Sequence, residues 1–171
     1  MRLLPTDLVS PRRALLPVLF LALVPAAVRA ADKAPRVTLR DPSGASHNIA
    51  ELLALGGVLV MTAPTYSEKD TQEGWGHSLP TAMPKGGVLI FVEDLSVSDW
   101  KSLAEAGIRR QWKPKTPPLV LLDETGSTRE LLGEEANTTG VFVFCKKGKL
   151  VHTYRGDPSV KQAKVLWAKV K

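Results

Sequence analysis

The stretch VLVMTAPTYSEKDTQ, from Val58 to Gln72, joins a run of apolar residues to a short polar loop. Its apolar part, GVLVMTA from Gly57 to Ala63, shows no alternation of polar and apolar residues. A continuous apolar run of this length is typical of a parallel strand that is covered on both faces. The stretch GGVLIFVED, residues 86–94, repeats the pattern. The two runs therefore predict two buried strands in the middle of a sheet.

Helical patterns flank these two strands. Asn48 is followed three residues later by Glu51, a pairing that favours a capped helix start, and Gly56 marks the end of that short helix. The segment between the two buried strands, residues 70–83, contains Gly74, Gly76 and Pro80. Because glycine and proline disfavour helical backbone, this segment predicts a weak helix at best.

A clearer amphipathic pattern follows the second buried strand. Ser98 is suited to cap a helix, and a stripe of apolar residues then recurs at helical spacing, which predicts a helix packed on the sheet through that stripe. The stripe consists of Trp100, Leu103, Ala104, Gly107 and Ile108. The proline-containing stretch KPKTPP, residues 113–118, ends the helix and leads into another strand, LVLLDETG.

The C-terminal region predicts a hairpin and a final helix. The stretch VFVFCKKGKLVHTYRG, residues 141–156, has two strand-like halves with a turn at Lys147-Gly148. Ser159 is suited to cap the last helix, whose inner face carries Val160, Ala163, Trp167 and Val170. Strands that alternate with helices in this order predict an α/β sandwich with helices on both faces of a mixed sheet.

The first thirty residues have the features of a secretory signal. Arg2, Arg12 and Arg13 precede the apolar run ALLPVLFLALV, residues 14–24, which is short for a membrane span. Val28 and Ala30 occupy the small-residue positions of a cleavage site. We therefore expect residues 1–30 to be removed and residues 31–171 to form one domain that is periplasmic or secreted. A buried helix or a membrane anchor is the alternative interpretation of this segment.

Composition excludes several classes of function. The chain has 23 basic and 17 acidic residues, and without residues 1–30 the formal net charge falls from +6 to +3. The densest basic stretch, GIRRQWKPK at residues 107–115, suits either a solvated helix end or contact with an anionic surface. The sequence contains no nucleic-acid-binding motif. His47, His77 and His152 lack metal-ligand spacing, so we expect neither a metal nor another cofactor.

The order of these patterns resembles the thioredoxin superfamily. The stretches VTLRDPSGASHNIAELLALGGVLVMTAPT, residues 37–65, and TTGVFVFCKKGKLVHTYRGDPS, residues 138–159, carry the resemblance, which is strongest to the exported thioredoxin-like and peroxiredoxin-like branch. A thinner similarity is to YtfJ-type periplasmic proteins, which lack a paired-cysteine motif. The resemblance implies a thioredoxin-like three-layer sandwich with a central mixed sheet.

The resemblance also locates the expected redox site, and the cysteines of that site are missing. In the family a reactive thiol follows the buried strand at the start of the next helix. The matching residues here are Tyr66, Ser67, Glu68 and Lys69. Thiol–disulfide exchange requires a thiolate, and a serine hydroxyl needs an adjacent base to act as a nucleophile. We therefore expect no catalytic residue in this loop.

A second hallmark of the family is a cis-proline immediately before the strand that opens the C-terminal hairpin. Chain order matches that position to Thr138-Thr139-Gly140, which contains no proline. If the match is shifted by one strand, Pro118 takes that role. The sequence alone leaves both assignments open.

Several residues are candidates for binding a ligand or a partner. Trp75 and Trp100 are expected to be packing residues. A binding role is more plausible for Trp75, because its glycine-rich segment could form an open wall of a site near the loop. His77 and Thr139 join Tyr66, Ser67, Glu68 and Lys69 as candidates. Cys145, the sole cysteine, is expected to pack in the core, with a reactive thiol as the alternative.

Three functions fit these features. The first is a non-catalytic binding or assembly factor with a protein or small-molecule partner, no nucleic acid and no membrane span after cleavage. The second is a redox enzyme that uses Cys145 alone, through a mixed disulfide. The third is an accessory subunit of an envelope complex that docks through a sheet edge or through the basic stretch near Arg109.

Overall fold

The computed structural model describes residues 32–112 and 117–170, so the expected signal peptide at residues 1–30 lies outside the described residues. Within these two ranges, seven strands form one sheet: β1 Thr38–Arg40, β2 Ser46–Asn48, β3 Gly57–Thr62, β4 Leu89–Asp94, β5 Leu119–Asp123, β6 Gly140–Phe144 and β7 Leu150–Tyr154. Five α-helices accompany them: α1 Ile49–Leu52, α2 Lys69–Ala82, α3 Lys101–Gln111, α4 Ser127–Leu132 and α5 Val160–Trp167.

The sheet is mixed, as the resemblance implied. Its strand order is β2-β1-β5-β4-β3-β6-β7. Strands β3, β4 and β5 are parallel, whereas β6 runs antiparallel to β3 and β7 antiparallel to β6. We call the edge at which β3, β4 and β5 end the carboxyl edge, and the edge at which they begin the amino edge. Met61 lies opposite Gly140, and Gly57 lies opposite Phe144, so β6 starts at the carboxyl edge and ends at the amino edge.

Both faces of the sheet are covered, because alternate residues of each central strand enter different cores. On one face, Leu59 and Met61 pack with Ile49 and Leu53 at the start of the domain and with Leu132 of α4. On the other face, Val58 and Val60 pack with side chains of α2 and α5, including Trp75, Leu79, Leu166 and Trp167. All six residues of β3 are buried, which confirms the prediction from its continuous apolar run.

Two of the three predicted helix caps and the predicted hairpin turn are present. The Asn48 side chain accepts a hydrogen bond from the Glu51 backbone N–H at 3.2 Å, and the Ser159 hydroxyl accepts one from Gln162 at 3.1 Å. Lys147 and Gly148 have φ values of 70° and 65°, which makes the tight turn between β6 and β7. Gly56, with φ of 87°, ends the helical segment that begins at Asn48.

Two parts of the predicted element order were wrong. Residues 69–82 form a continuous helix of 14 residues in place of a weak one. Tertiary packing overrides the low propensity of its glycines: a Cβ at Gly74 would lie 2.2 Å from Pro158 Cγ, so glycine is what lets the helix approach that loop. Strand β2 and helix α4 were not predicted, since each is too short to show a periodic pattern.

Helix α3 differs most from its predicted packing. It contains no buried residue, and Ser98 does not cap it, since the residue before its first turn is Trp100. Trp100 and Leu103, the first two members of the predicted inward stripe, are 74% and 70% exposed. Ala104, Gly107 and Ile108 are half-buried. The stripe is therefore only partly covered by the sheet.

Candidate functional site

The loop that follows β3 forms an exposed platform at the carboxyl edge. Tyr66–Glu68 makes one 3₁₀ turn, and α2 begins at Lys69. Tyr66 is 93% exposed, and Ser67 is also exposed. The Gln72 side chain donates a hydrogen bond to the Ala63 carbonyl, which ties the first turns of α2 to the end of the strand. The candidate residues Tyr66, Ser67, Glu68 and Lys69 thus form one continuous surface.

The hydroxyl of Ser67 has no base beside it. Among the described residues, its side chain contacts the Thr65 hydroxyl at 3.4 Å and forms no bond with a histidine or carboxylate. His77 is exposed on α2, eight residues beyond the first residue of that helix, which corresponds to about 12 Å along its axis. Within residues 32–112 and 117–170, Ser67 thus has no hydrogen-bonded base, which a serine hydroxyl needs to act as a nucleophile.

The position expected to hold the family proline does lie next to the loop. Thr139 precedes β6, and Gly140 is paired with Met61 close to the end of β3. Thr139 is buried, and its hydroxyl finds no hydrogen-bond partner among the described residues. The cis peptide of Pro117-Pro118 lies instead at the start of β5, which belongs to the amino edge. Pro118 is therefore not beside the loop, and the Gly140 position has no proline.

An ion pair between a buried acid and an exposed arginine, which the sequence did not reveal, lies beside Thr139. The Glu134 side chain is fully buried and accepts hydrogen bonds from Arg155 Nε at 2.9 Å and Nη2 at 2.7 Å. The Thr138 hydroxyl donates to the same carboxylate at 2.8 Å. A Cβ at Gly140 would come within 2.6 Å of Glu134 Oε2, so glycine at this position leaves room for the carboxylate. The pair joins the segment before β6 to the residue after β7.

Two more buried acids lie at the carboxyl edge, on the face of the sheet that α4 covers. Asp94 and Asp123 are neighbours in the register of β4 and β5. Asp94 accepts a hydrogen bond from Arg129 Nε at 2.8 Å. Asp123 accepts bonds from the backbone N–H groups of Gly126 at 2.8 Å and Thr128 at 2.7 Å. Because both carboxylates are occupied by α4 and the turn before it, we assign them a structural role.

Glu93 is the acid closest to the loop in strand register. It lies opposite Thr62, the last residue of β3, and it occupies the α2 face of the sheet in alternation with Leu89 and Phe91. Desolvation by burial raises the pKa of the Glu93 carboxyl, and a hydrogen bond with Thr62 works against that rise. An acid with a raised pKa thus lies beside the last residue of β3.

Cys145 lies far from this loop. It follows the last residue of β6, and β6 ends opposite Gly57 at the amino edge. The six residues of β3 separate the two ends by about 20 Å. Cys145 is half-buried, not fully buried as its apolar neighbours predicted, because it lies just beyond the strand. It is the only cysteine in the chain, so no intramolecular disulfide can form.

Of the two tryptophans that the sequence predicted to be packing residues, Trp75 is one and Trp100 is not. Trp75 is fully buried and packs edge-on against Tyr154 with ring centroids 5.7 Å apart. It therefore does not form an open wall, and Gly74 beside it lets α2 pack against Pro158. Trp100, expected to pack in the domain, is exposed. This difference depends on how closely each helix approaches the sheet, which a local pattern does not show.

Metal binding and membrane spanning find no support in the described part of the chain. Within residues 32–112 and 117–170, no group of three His, Cys, Asp or Glu side chains is arranged to hold a metal ion. None of the helices in these ranges has the length and apolar character that a bilayer crossing requires.

Comparison with solved structures identifies the fold. The architecture of a mixed sheet, with the platform loop at the end of its central parallel strand, is the thioredoxin fold. DsbF of MTB superposes with a TM-score of 0.60 at 15% identity, covering 78% of this chain and 93% of that chain. A secreted Mycobacterium tuberculosis disulfide oxidoreductase homologous to E. coli DsbE gives 0.59 at 13% identity, covering 79% and 96%.

A third similar structure, StoA from Bacillus subtilis, gives a TM-score of 0.57 at 16% identity and covers 79% of this chain and all of that chain. Neither a protein-family model nor a curated protein matches the sequence significantly. These similarities establish the thioredoxin fold. Neighbours of this fold include thiol–disulfide oxidoreductases, whereas this chain has a single cysteine.

Proposed function

We propose that this chain is an exported thioredoxin-fold protein that acts by binding a partner and not by thiol–disulfide exchange. One observation carries the proposal: the exposed loop at the carboxyl edge offers Tyr66 and Ser67, while the sole thiol, Cys145, lies at the opposite edge of the sheet. Exchange through a paired active site needs two neighbouring thiols, and a lone attacking thiol needs access to substrate and an activated thiolate.

The platform has the character of a recognition surface. An aromatic side chain that is 93% exposed offers a large contact area at a low cost in conformational entropy. Beside it, Lys69 and Glu73 approach to 3.8 Å, and Asp70 is exposed, so the rim is charged. An apolar centre with a polar rim is the usual anatomy of a protein-binding patch. We infer that the partner is a protein bound through Tyr66.

Site-specific photo-cross-linking tests this binding role. A photoreactive residue in place of Tyr66 is expected to give a discrete adduct in cells that export the protein. Leu55 supplies a matched control because it is 78% exposed and precedes β3, at the amino edge. Adducts of equal yield and pattern from positions 66 and 55 contradict a dedicated site at Tyr66.

Export is the second part of the proposal. It is supported by the basic start, the apolar run and the small residues Val28 and Ala30. The similar Mycobacterium tuberculosis oxidoreductase is described as secreted. Mass spectrometry of the protein from exporting cells is expected to give a chain that starts at Ala31 and lies outside the cytoplasm. A mass equal to that of the uncleaved chain contradicts this expectation.

The alternative is a redox enzyme that uses Cys145 alone. The partial exposure of this residue favours it, and Lys146 and Lys147 beside it are exposed cations. The Cys145 thiol, however, donates a weak hydrogen bond to the Lys146 carbonyl at 3.3 Å and has no second thiol to resolve a mixed disulfide. The binding function therefore fits the geometry better.

A further inference from the structure

The first residues that the structure describes are tied to the edge of the sheet. The Asp32 carbonyl accepts a hydrogen bond from the Leu150 backbone N–H at 2.9 Å, and the Ala34 backbone N–H donates one to the Gly148 carbonyl at 2.7 Å. Residues 32–34 therefore lie against the start of β7, which is an outermost strand of the described sheet. We call these three residues the N-terminal clamp.

Burial holds the N-terminal clamp in addition to backbone pairing. Its middle residue, Lys33, forms an antiparallel bridge with Lys149. Ala34 is only 7% exposed and belongs to the core on one face of the sheet, and Pro35 after it is also buried. Chain ends that make few buried contacts open most readily. Because the clamp is both paired and anchored by a buried residue, we expect it to be closed in most folded molecules.

The bond that export is expected to cut lies directly before the clamp. It joins Ala30 to Ala31, and only Ala31 separates it from Asp32. Since consecutive Cα atoms are about 3.8 Å apart, this bond lies within about 6 Å of the Asp32 Cα atom. A peptidase must hold several residues on both sides of a bond in its cleft, so a structured segment is cut through an opened state.

We propose that the N-terminal clamp protects the Ala30–Ala31 bond once the domain has folded, so that signal peptidase must act on the unfolded chain. The proposal rests on the export proposed above and adds the order of events: cleavage comes first, and residues 32–34 then pair with β7. The reaction is hydrolysis, in which water cleaves the amide and leaves a carboxylate on Ala30 and an α-amino group on Ala31. Asp32 and Lys33 follow the bond directly, and they cannot stay paired with β7 while a peptidase cleft holds them.

This order has a consequence for the export route. Machinery that carries unfolded chains presents the Ala30–Ala31 bond before the clamp can form. Machinery that carries folded proteins delivers a domain whose clamp is closed, and the chain then keeps its apolar segment, residues 14–24. The clamp therefore suits export of the unfolded chain.

Cleavage of the full chain in vitro tests the proposal. Residues 1–171 are purified in detergent, shown to be folded by circular dichroism and incubated with signal peptidase, and mass spectrometry measures the rate of cleavage after Ala30. The comparison variant carries the spacer Gly-Ser-Gly-Ser-Gly-Ser between Ala31 and Asp32. This spacer lets the bond move up to about 20 Å further from the clamp. The spacer variant is expected to be cut at least tenfold faster than the parent chain.

A substitution in the clamp gives a second test at unchanged chain length. Ala34→Glu places a charge at a buried position, which should release the clamp and speed up cleavage of the folded chain. Ala106→Glu is the matched control, because it makes the same change at an exposed residue of α3 and should leave the rate unchanged. Circular dichroism establishes whether both variants are folded. The spacer variant, which keeps every clamp residue, decides the matter if Ala34→Glu does not fold.

Equal cleavage rates for the folded parent chain and the spacer variant overturn the clamp proposal, because the bond is then already accessible. Export stands in that case, since both chains are cut after Ala30. If neither chain is cut after Ala30, the expected cleavage site is wrong and the clamp proposal falls with it. Binding through Tyr66 is tested separately by cross-linking and depends on neither result.

Discussion

Gly140 lies opposite Met61 in the antiparallel pair of β6 and β3. This pairing brings the buried Thr139 to the end of β3, where the platform loop begins, and it sends the other end of β6 toward the amino edge. Cys145 therefore lies at the far end of the same strand pair. The relationship explains how the thioredoxin fold can keep the geometry of its usual site while the only thiol of the chain lies about 20 Å away.

Placing a thiol in the platform loop should not produce an efficient reductase. Ser67→Cys is expected to react readily with a thiol reagent, because residue 67 is exposed and precedes α2. Its turnover of a small disulfide should equal that of a free thiol, since Cys145 is too distant to resolve a mixed disulfide. The measurement compares Ser67→Cys alone and combined with Cys145→Ser. Catalytic turnover by Ser67→Cys well above that of a free thiol would show that the scaffold still activates one.

Gly140→Ala should destabilise the domain by about 1–3 kcal/mol, because the added methyl group collides with the buried Glu134 carboxylate. The carboxylate must then shift away from Arg155, which weakens the ion pair. Urea unfolding measures the change in the free energy of unfolding. Gly148→Ala is not a suitable control, because Gly148 has a positive φ. Gly107→Ala serves better, since a Cβ there meets nothing within 4 Å. Equal stability of Gly140→Ala and wild type contradicts the tight contact.

Asp41, in the turn after β1, should make the stability of the domain depend on pH in the acid range. Burial alone would raise the pKa of Asp41, but hydrogen bonds from Ser43, His47 and the Ala45 backbone lower it to about 2. Since this pKa lies below that of the unfolded chain, the stabilisation is complete above about pH 4 and is lost as the pH falls toward 2.

Asp41→Asn is therefore expected to be roughly 1–2 kcal/mol less stable than wild type at pH 6, with the difference shrinking toward pH 2. Chemical denaturation across this range measures it. A difference that is constant with pH would mean that the carboxylate charge is irrelevant.

The contribution of Glu93 to stability should depend on pH in the opposite direction to that of Asp41. Burial raises the pKa of Glu93, so the native state favours the protonated acid. The domain therefore loses stability as the pH rises from the pKa of Glu93 in the unfolded chain toward its higher pKa in the folded chain. Glu93→Gln removes that loss and should raise stability at pH 7 by on the order of 1 kcal/mol. At pH 3 the variant and wild type should be similar. A variant that is less stable than wild type at both pH values contradicts a protonated Glu93.

The sequence sufficed for features with local causes. The apolar run of β3, the cap at Ser159 and the turn at Lys147-Gly148 each depend on a few neighbouring residues, and each was predicted. The platform loop was also located, because its position relative to β3 follows from chain order.

Features that depend on distant contacts were missed or wrong. Helix α2 is continuous because Gly74 fits against Pro158 and Trp75 fills the core, and neither contact is visible in a local pattern. Glu134 and Arg155 are 21 residues apart, so their pairing requires the hairpin to be in place. Apolar spacing identified α3 but could not show that Trp100 remains exposed.

The most direct test of the central claim is turnover of a protein disulfide, such as that of insulin, by the wild-type chain and by Cys145→Ser in the presence of a thiol reductant. We predict that, with either protein present, the disulfide is reduced at the rate given by the reductant alone. A clear acceleration by the wild type that Cys145→Ser abolishes would contradict it and would establish a single-thiol redox enzyme.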